Sequence, residues 1–205
     1  MNTSDAREKM LTRIRKALHE PVPLPFPDAA ANPQPLFAPP ADELAVLFAE
    51  SFHKLQGRFV YCENESDLHE QLAQLIKVRE WTKLFCEDAR WNTHYSNTIS
   101  LPSCDVSITG CECLVARTGS VVLGTAAAGG RTTSVYAPVH ICIAYSNQLV
   151  FDIQDALKLL QQRYGSQLPS FISFATGPSR TADIEKTLVT GVHGPREVFV
   201  FLVES

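Results

Sequence analysis

The chain has 205 residues, 45% of them hydrophobic and 20% charged, a balance ordinary for one globular domain with an appended arm. A formal net charge of -4 and a pI near 5.9 argue against a nucleic-acid partner, because such proteins carry a basic face. No apolar run approaches the roughly 20 residues that span a bilayer. The charged start (Asp5, Arg7, Glu8, Lys9) lacks the apolar core of a secretory leader, so a cytoplasmic protein with reduced cysteines is expected.

Residues 5–18 predict an amphipathic helix. Met10, Leu11, Ile14, Ala17 and Leu18 share one face, Arg7, Arg13, Arg15 and Lys16 make the rest basic, and Asp5 with Glu8 forms a capping pair. Residues 1–20 therefore read as a helical arm. Residues 21–41 read as an extended linker, since eight of the thirteen prolines fall between Pro21 and Pro40 and each fixes φ and removes a donor. The arm either packs on its own domain or docks on a partner subunit.

The main domain is expected over residues 42–205. Leu44, Leu47, Phe48, Phe52 and Leu55 mark a helix that Gly57 stops, followed by a strand at Arg58–Cys62. Asn64 and Asp67 cap a helix with Leu68, Leu72, Leu75 and Ile76 on one face. Strands are predicted at Lys83–Cys86, Asp105–Thr109, Ser120–Leu123 and Val139–Tyr145, and a helix at Asp152–Tyr164; the segment around Trp91–Asn97 is ambiguous. Phe171–Ala175 and Val198–Val203 read as strands buried on both faces, with a short helix at Thr181–Val189 between them, ended by Gly191. This alternation predicts an α/β fold with a mostly parallel sheet and helices on both sides.

Ligands of open α/β sheets bind beyond the carboxyl ends of strands. One candidate segment follows Phe171–Ala175: the amides of the expected helix, capped by Ser179 or Thr181, would face an anion that Arg180 also holds. Capping alone would explain the same serine and threonine. Glu185 and His193 are the candidate proton-transfer groups, although a histidine in Val192-His193-Gly194-Pro195 could equally hold the turn shut. A second segment, rich in glycine and hydroxyls, offers Thr118, Gly119 and Arg131 as further ligand contacts, with a plain surface loop as the alternative. Cys111-Glu112-Cys113 has C-x-C spacing with no second paired motif, so buried thiols are expected rather than a metal centre completed by Cys104 and His140.

Gly177-Pro178-Ser179-Arg180-Thr181-Ala182-Asp183-Ile184-Glu185, with Gly191-Val192-His193-Gly194-Pro195, resembles the signature of the lactate-utilisation protein C (LutC/YkgG) family, also called the LUD domain. Ile108-Thr109-Gly110, Ala116-Arg117-Thr118-Gly119-Ser120-Val121-Val122 and Pro138-Val139-His140-Ile141 are similar to family elements in weaker form. The family commonly places an acidic residue where Arg117 stands, and a threonine where Ser120 stands.

The resemblance implies a three-layer α/β/α fold like that of ribose-5-phosphate isomerase, glucosamine-6-phosphate deaminase and CoA-transferases (NagB/RpiA/CoA-transferase-like). It also implies a role in oxidising L-lactate to pyruvate beside two iron–sulfur partner proteins, with no cofactor on this chain and a small carboxylate or phosphate as ligand. Two other readings stand beside it: a stand-alone enzyme on a phosphorylated or CoA-linked small molecule, using Glu185 or Glu112, and a non-catalytic scaffold. Fold kinship alone does not choose among them.

Overall fold

A computed structural model describes residues 3–19, 37–38, 43–97, 100–125, 130–184 and 187–205. The chain divides into two compact units, Met1–Pro39 and Pro40–Ser205. In the first, helix α1 spans Thr3–Leu18, one turn fraction earlier than the sequence predicts. Within this unit Met10, Ile14 and Leu18 of its apolar stripe are exposed and Leu11 is half-buried. The expected linker at 21–41 lies almost wholly outside the described residues.

The second unit opens with α2 (Leu44–Lys54), β1 (Arg58–Cys62) and α3 (Glu65–Val78). Asn64 caps α3 as expected, its side-chain oxygen accepting from the Asp67 amide at 3.0 Å. Next come β2 (Leu84–Cys86), the single-turn helix α4 (Asn92–Tyr95), β3 (Val106–Thr109), β4 (Cys113–Val115) and β5 (Ser120–Gly124). Then follow α5 (Thr133–Tyr136), β6 (Val139–Tyr145), β7 (Leu149–Val150) and α6 (Ile153–Tyr164), the last capped by Asp152. The chain ends with β8 (Ile172–Ala175), β9 (Arg180–Ile184), β10 (Thr187–Thr190) and β11 (Glu197–Val203).

Five strands form a parallel sheet in the order β1-β11-β6-β3-β2. Because successive side chains alternate between faces, β6 sends Val139, Ile141 and Ile143 to one side, and β11 sends Phe199, Phe201 and Val203 there too. Leu68 and Leu72 of α3 cover that side, with Trp91 and Tyr95 beside them. The opposite side carries Cys142, Ala144, Val198, Val200 and Leu202, packed against Phe48 and Phe52 of α2.

A four-stranded sheet in the order β7-β4-β5-β8 covers the rest of that second side. Leu114, Val121 and Leu123 face the parallel sheet, while Cys113, Val115 and Val122 face Ala156 and Leu160 of α6. The α/β class and the parallel central sheet match expectation, but two predicted strands leave that sheet. Ser120–Gly124 and Ile172–Ala175 pair antiparallel with each other in the second sheet. Ile172–Ala175 lies at its edge and is half-buried throughout, not enclosed on both faces as the sequence suggests.

The expected helix at Thr181–Val189 is a β-hairpin. Arg180 pairs with Thr190, Thr181 with Val189 and Ile184 with Thr187. Thr181, Ile184, Thr187, Val189 and Thr190 are β-branched, and their stiff χ1 favours an extended backbone over a helix. The base is tied by the Gly191 amide on the Ser179 carbonyl and the Ser179 amide on the Pro195 carbonyl, both at 2.9 Å.

Candidate functional site

Where the two sheets meet, a crevice of about 170 Å³ opens beside β6. β6 contributes His140, α5 contributes Ser134 and Val135, and β5 contributes Leu123. Phe171, Ser173 and Ala175 enter from β8 and its approach, Ser179 from the hairpin base, and His193 with Gly194 from the turn before β11. A wider recess of about 410 Å³ adjoins it, bordered by Tyr136, Val192 and again Val135, His193 and Gly194. His193 thus stands on the boundary between inner crevice and outer recess.

His140 is only 2% exposed, and its Nε2 lies 2.8 Å from Thr109 Oγ1. Burial penalises the imidazolium and pushes the His140 pKa down to about 4, so the ring is neutral at neutral pH. Ser107, its register partner on β3, is fully buried; among the described residues its Oγ is a buried side-chain oxygen with no partner. The crevice therefore offers hydroxyls and two imidazoles within mostly apolar walls, the usual make-up of a small-molecule site.

Of the residues singled out from sequence, Ser179 and His193 line the crevice. Arg180 does not reach it: its guanidinium donates to the Leu55 carbonyl, and Thr181 follows it on β9. The helix amides expected to hold an anion do not exist, because the segment is a strand. Arg131 does not line the crevice; its Nη2 donates to Ser170 Oγ at 2.8 Å, one residue before the lining residue Phe171. Thr118 and Gly119 belong to the β4–β5 turn; Thr118 Oγ1 lies 2.7 Å from Ser120 Oγ, and neither residue lines the crevice. Glu185 lies outside the described residues.

Arg117 gives Asp152 two hydrogen bonds, from Nε at 3.0 Å and Nη2 at 2.6 Å. Desolvation opposes charge on Asp152, yet Arg117 and the Ile153 amide outweigh it and hold this capping carboxyl below its ordinary pKa. Glu112 is also engaged. Fully buried, it accepts from Arg163 Nη1 at 2.5 Å and from the Tyr164 hydroxyl at 2.8 Å, so neither oxygen is free for chemistry. Cys111 packs between the two sheets whereas Cys113 packs against α6. Their side chains thus belong to different parts of the core. All six cysteines are free and buried.

The sequence offers Ser134 only as one hydroxyl at the end of the second candidate segment, and does not single out Ser173 or the crevice role of His140. A lone histidine inside the apolar run of β6 was the available signal.

A family model described as LUD domain matches residues 79–203. The chain belongs to the LUD domain family. Every residue lining the crevice falls inside that matched span. Among curated proteins, "Lactate utilization protein C 1" of Bacillus mycoides is 28% identical over 214 residues, covering 87% of this chain and 90% of its own length. "Lactate utilization protein C" of Bacillus subtilis is 38% identical over 103 residues, covering 49% and 43%. The LUD chain spans about half the length of many of the curated relatives it matches. A crystal structure of a DUF162 family protein from Deinococcus radiodurans has the same fold, with a TM-score of 0.58 at 19% identity over 80% of this chain and 99% of that one.

Proposed function

We propose that this LUD domain takes part in lactate utilisation as a subunit without a cluster of its own, beside two iron–sulfur partners that carry electrons away as L-lactate becomes pyruvate. The observation that carries the reading is the crevice itself, small and apolar-walled, with hydroxyls and imidazoles converging on it. Its inner volume suits a short 2-hydroxy carboxylate. Ser134, Ser173 and Ser179 offer hydroxyl donors to the carboxylate, and Arg131, bonded to Ser170 beside the lining residue Phe171, is the candidate cation. Leu123 and Val135 offer apolar contact to the methyl group. His193, on the boundary with solvent, is the group placed to accept the 2-hydroxyl proton. His140 stays neutral and serves as a hydrogen-bonding wall.

The reading of Glu112 as nucleophile finds no support, because Arg163 and Tyr164 occupy both of its oxygens. Calorimetric titration of the protein with L-lactate tests the binding. Saturable binding is expected, weakened by His193→Ala and abolished by Gly194→Val, since even a Cβ at Gly194 would stand 2.9 Å from that of Ser179. A strain lacking this chain should fail to grow on L-lactate. Normal growth of that strain would overturn the proposal.

A further inference from the structure

On the opposite face of the parallel sheet, an apolar groove of about 300 Å³ runs between α3 and the β1 edge. Val60, Leu75, Val78, Phe199 and Phe201 wall it, with Gln71 and Gln74 of α3 alongside. Val78 is 71% exposed, so part of this wall meets water. The lining residue Phe199 also carries a charged cluster. Arg58 and Arg79 lie over the Phe199 ring, with guanidinium carbons 5.5 and 5.9 Å from its centre, and Arg79 also lies 5.7 Å from the Trp81 ring. A single oxygen, Glu197 Oε2, accepts from Arg79 Nη2 at 2.7 Å and forms an ion pair with Arg58, whose Nε lies 3.0 Å away.

Among the described residues, these two guanidiniums share one carboxylate, an excess of one positive charge. Pinning the end of α3 to the sheet would need only one arginine. Each guanidinium carries five donors in a planar fork suited to carboxylates, and stacking on an aromatic face leaves its edge available. Phe199 joins the two halves: it walls the groove and floors the cationic cluster. We propose that this groove is a binding site for a medium-chain fatty carboxylate, whose alkyl chain lies between α3 and β1 and whose head group meets Arg58 and Arg79. The site is separate from the crevice and does not depend on the function proposed for it.

Titration of the full chain with hexanoate, octanoate and decanoate tests the assignment. Saturable binding is expected, tightening by about fourfold per methylene while the groove has room. Val78→Asp alters a side chain that is already exposed, so the fold survives it, and decanoate binding should be lost. The double variant Arg58→Ala/Arg79→Ala should bind decanoate at least about tenfold more weakly, the scale of a lost charge-assisted hydrogen bond. Glu197→Gln should bind it more tightly, because a competing carboxylate is removed. Absence of decanoate binding to the unaltered protein overturns the proposal. So does binding that Val78→Asp leaves unchanged, or that the neutral decanol matches.

Discussion

His140 spends its polarity inside the fold, and that choice sets a pH dependence. Its folded pKa, about 4, lies below the ordinary value of 6.5. Above pH 6.5 the ring is neutral folded and unfolded alike, and its protonation costs nothing. Below that value the unfolded chain takes up a proton that the folded chain refuses, so stability falls as pH drops from 6.5 towards 4 and levels off beneath. The span corresponds to about 3 kcal/mol. Urea unfolding across this range should therefore show a steeper loss for the natural protein than for His140→Gln, which keeps a donor for Thr109 but has no proton to gain. Parallel curves for the two would show that His140 is protonated without unfolding. Ser107 and Thr109, on the same face of β3, make this the polar pocket of an otherwise apolar interface.

At the level of elements, Gly177 links β8 to the hairpin in a conformation that side chains resist. Its φ is +82°, and a Cβ there would stand 2.7 Å from the Leu55 carbonyl oxygen. That carbonyl already accepts the Arg180 guanidinium, so it cannot withdraw without loss. Gly177→Ala should destabilise by about 2–3 kcal/mol, read as a lower denaturant midpoint. It should also displace Ser179 and so weaken any ligand in the crevice. An unchanged midpoint would mean that the loop moves freely.

This region is also where sequence and structure part. The helices α2, α3 and α6 were legible from their apolar spacing and from caps such as Asn64, and the strands β1, β3, β6 and β11 from their short apolar runs. The hairpin was not, because Asp183 and Glu185 after Ser179 look like a helix start while the β-branched residues carry the opposite preference. Nor was the second sheet: β4 and β7 have three and two residues, and which strand accepts another's hydrogen bonds is not a local property. The site divided the same way. Ser179 and His193 stood in a dense turn motif, but Ser173 reaches the crevice only through the pairing of β8 with β5, and Ser134 only through the packing of the single-turn α5.

Across the whole second unit, the parallel sheet acts as a partition. Val198 lines the crevice and Phe199, its neighbour in sequence, walls the groove, because adjacent residues of a strand point to opposite faces. The same is true of the polar groups: His140 and Ser134 serve one side, Arg58 and Arg79 the other. The sheet between them is buried and closely packed, with Ile141, Val200 and Leu202 wholly hidden from solvent. Two ligands bound on opposite faces, sharing no contacting side chain, should stabilise independently. At about one hundred times its dissociation constant each would add about 2.7 kcal/mol, and the two together about twice that. Thermal unfolding with L-lactate, with decanoate and with both should show gains that sum. A joint gain no larger than either alone would mean that the two compounds compete for one site, and a gain beyond the sum would mean that the β11 backbone transmits between the faces.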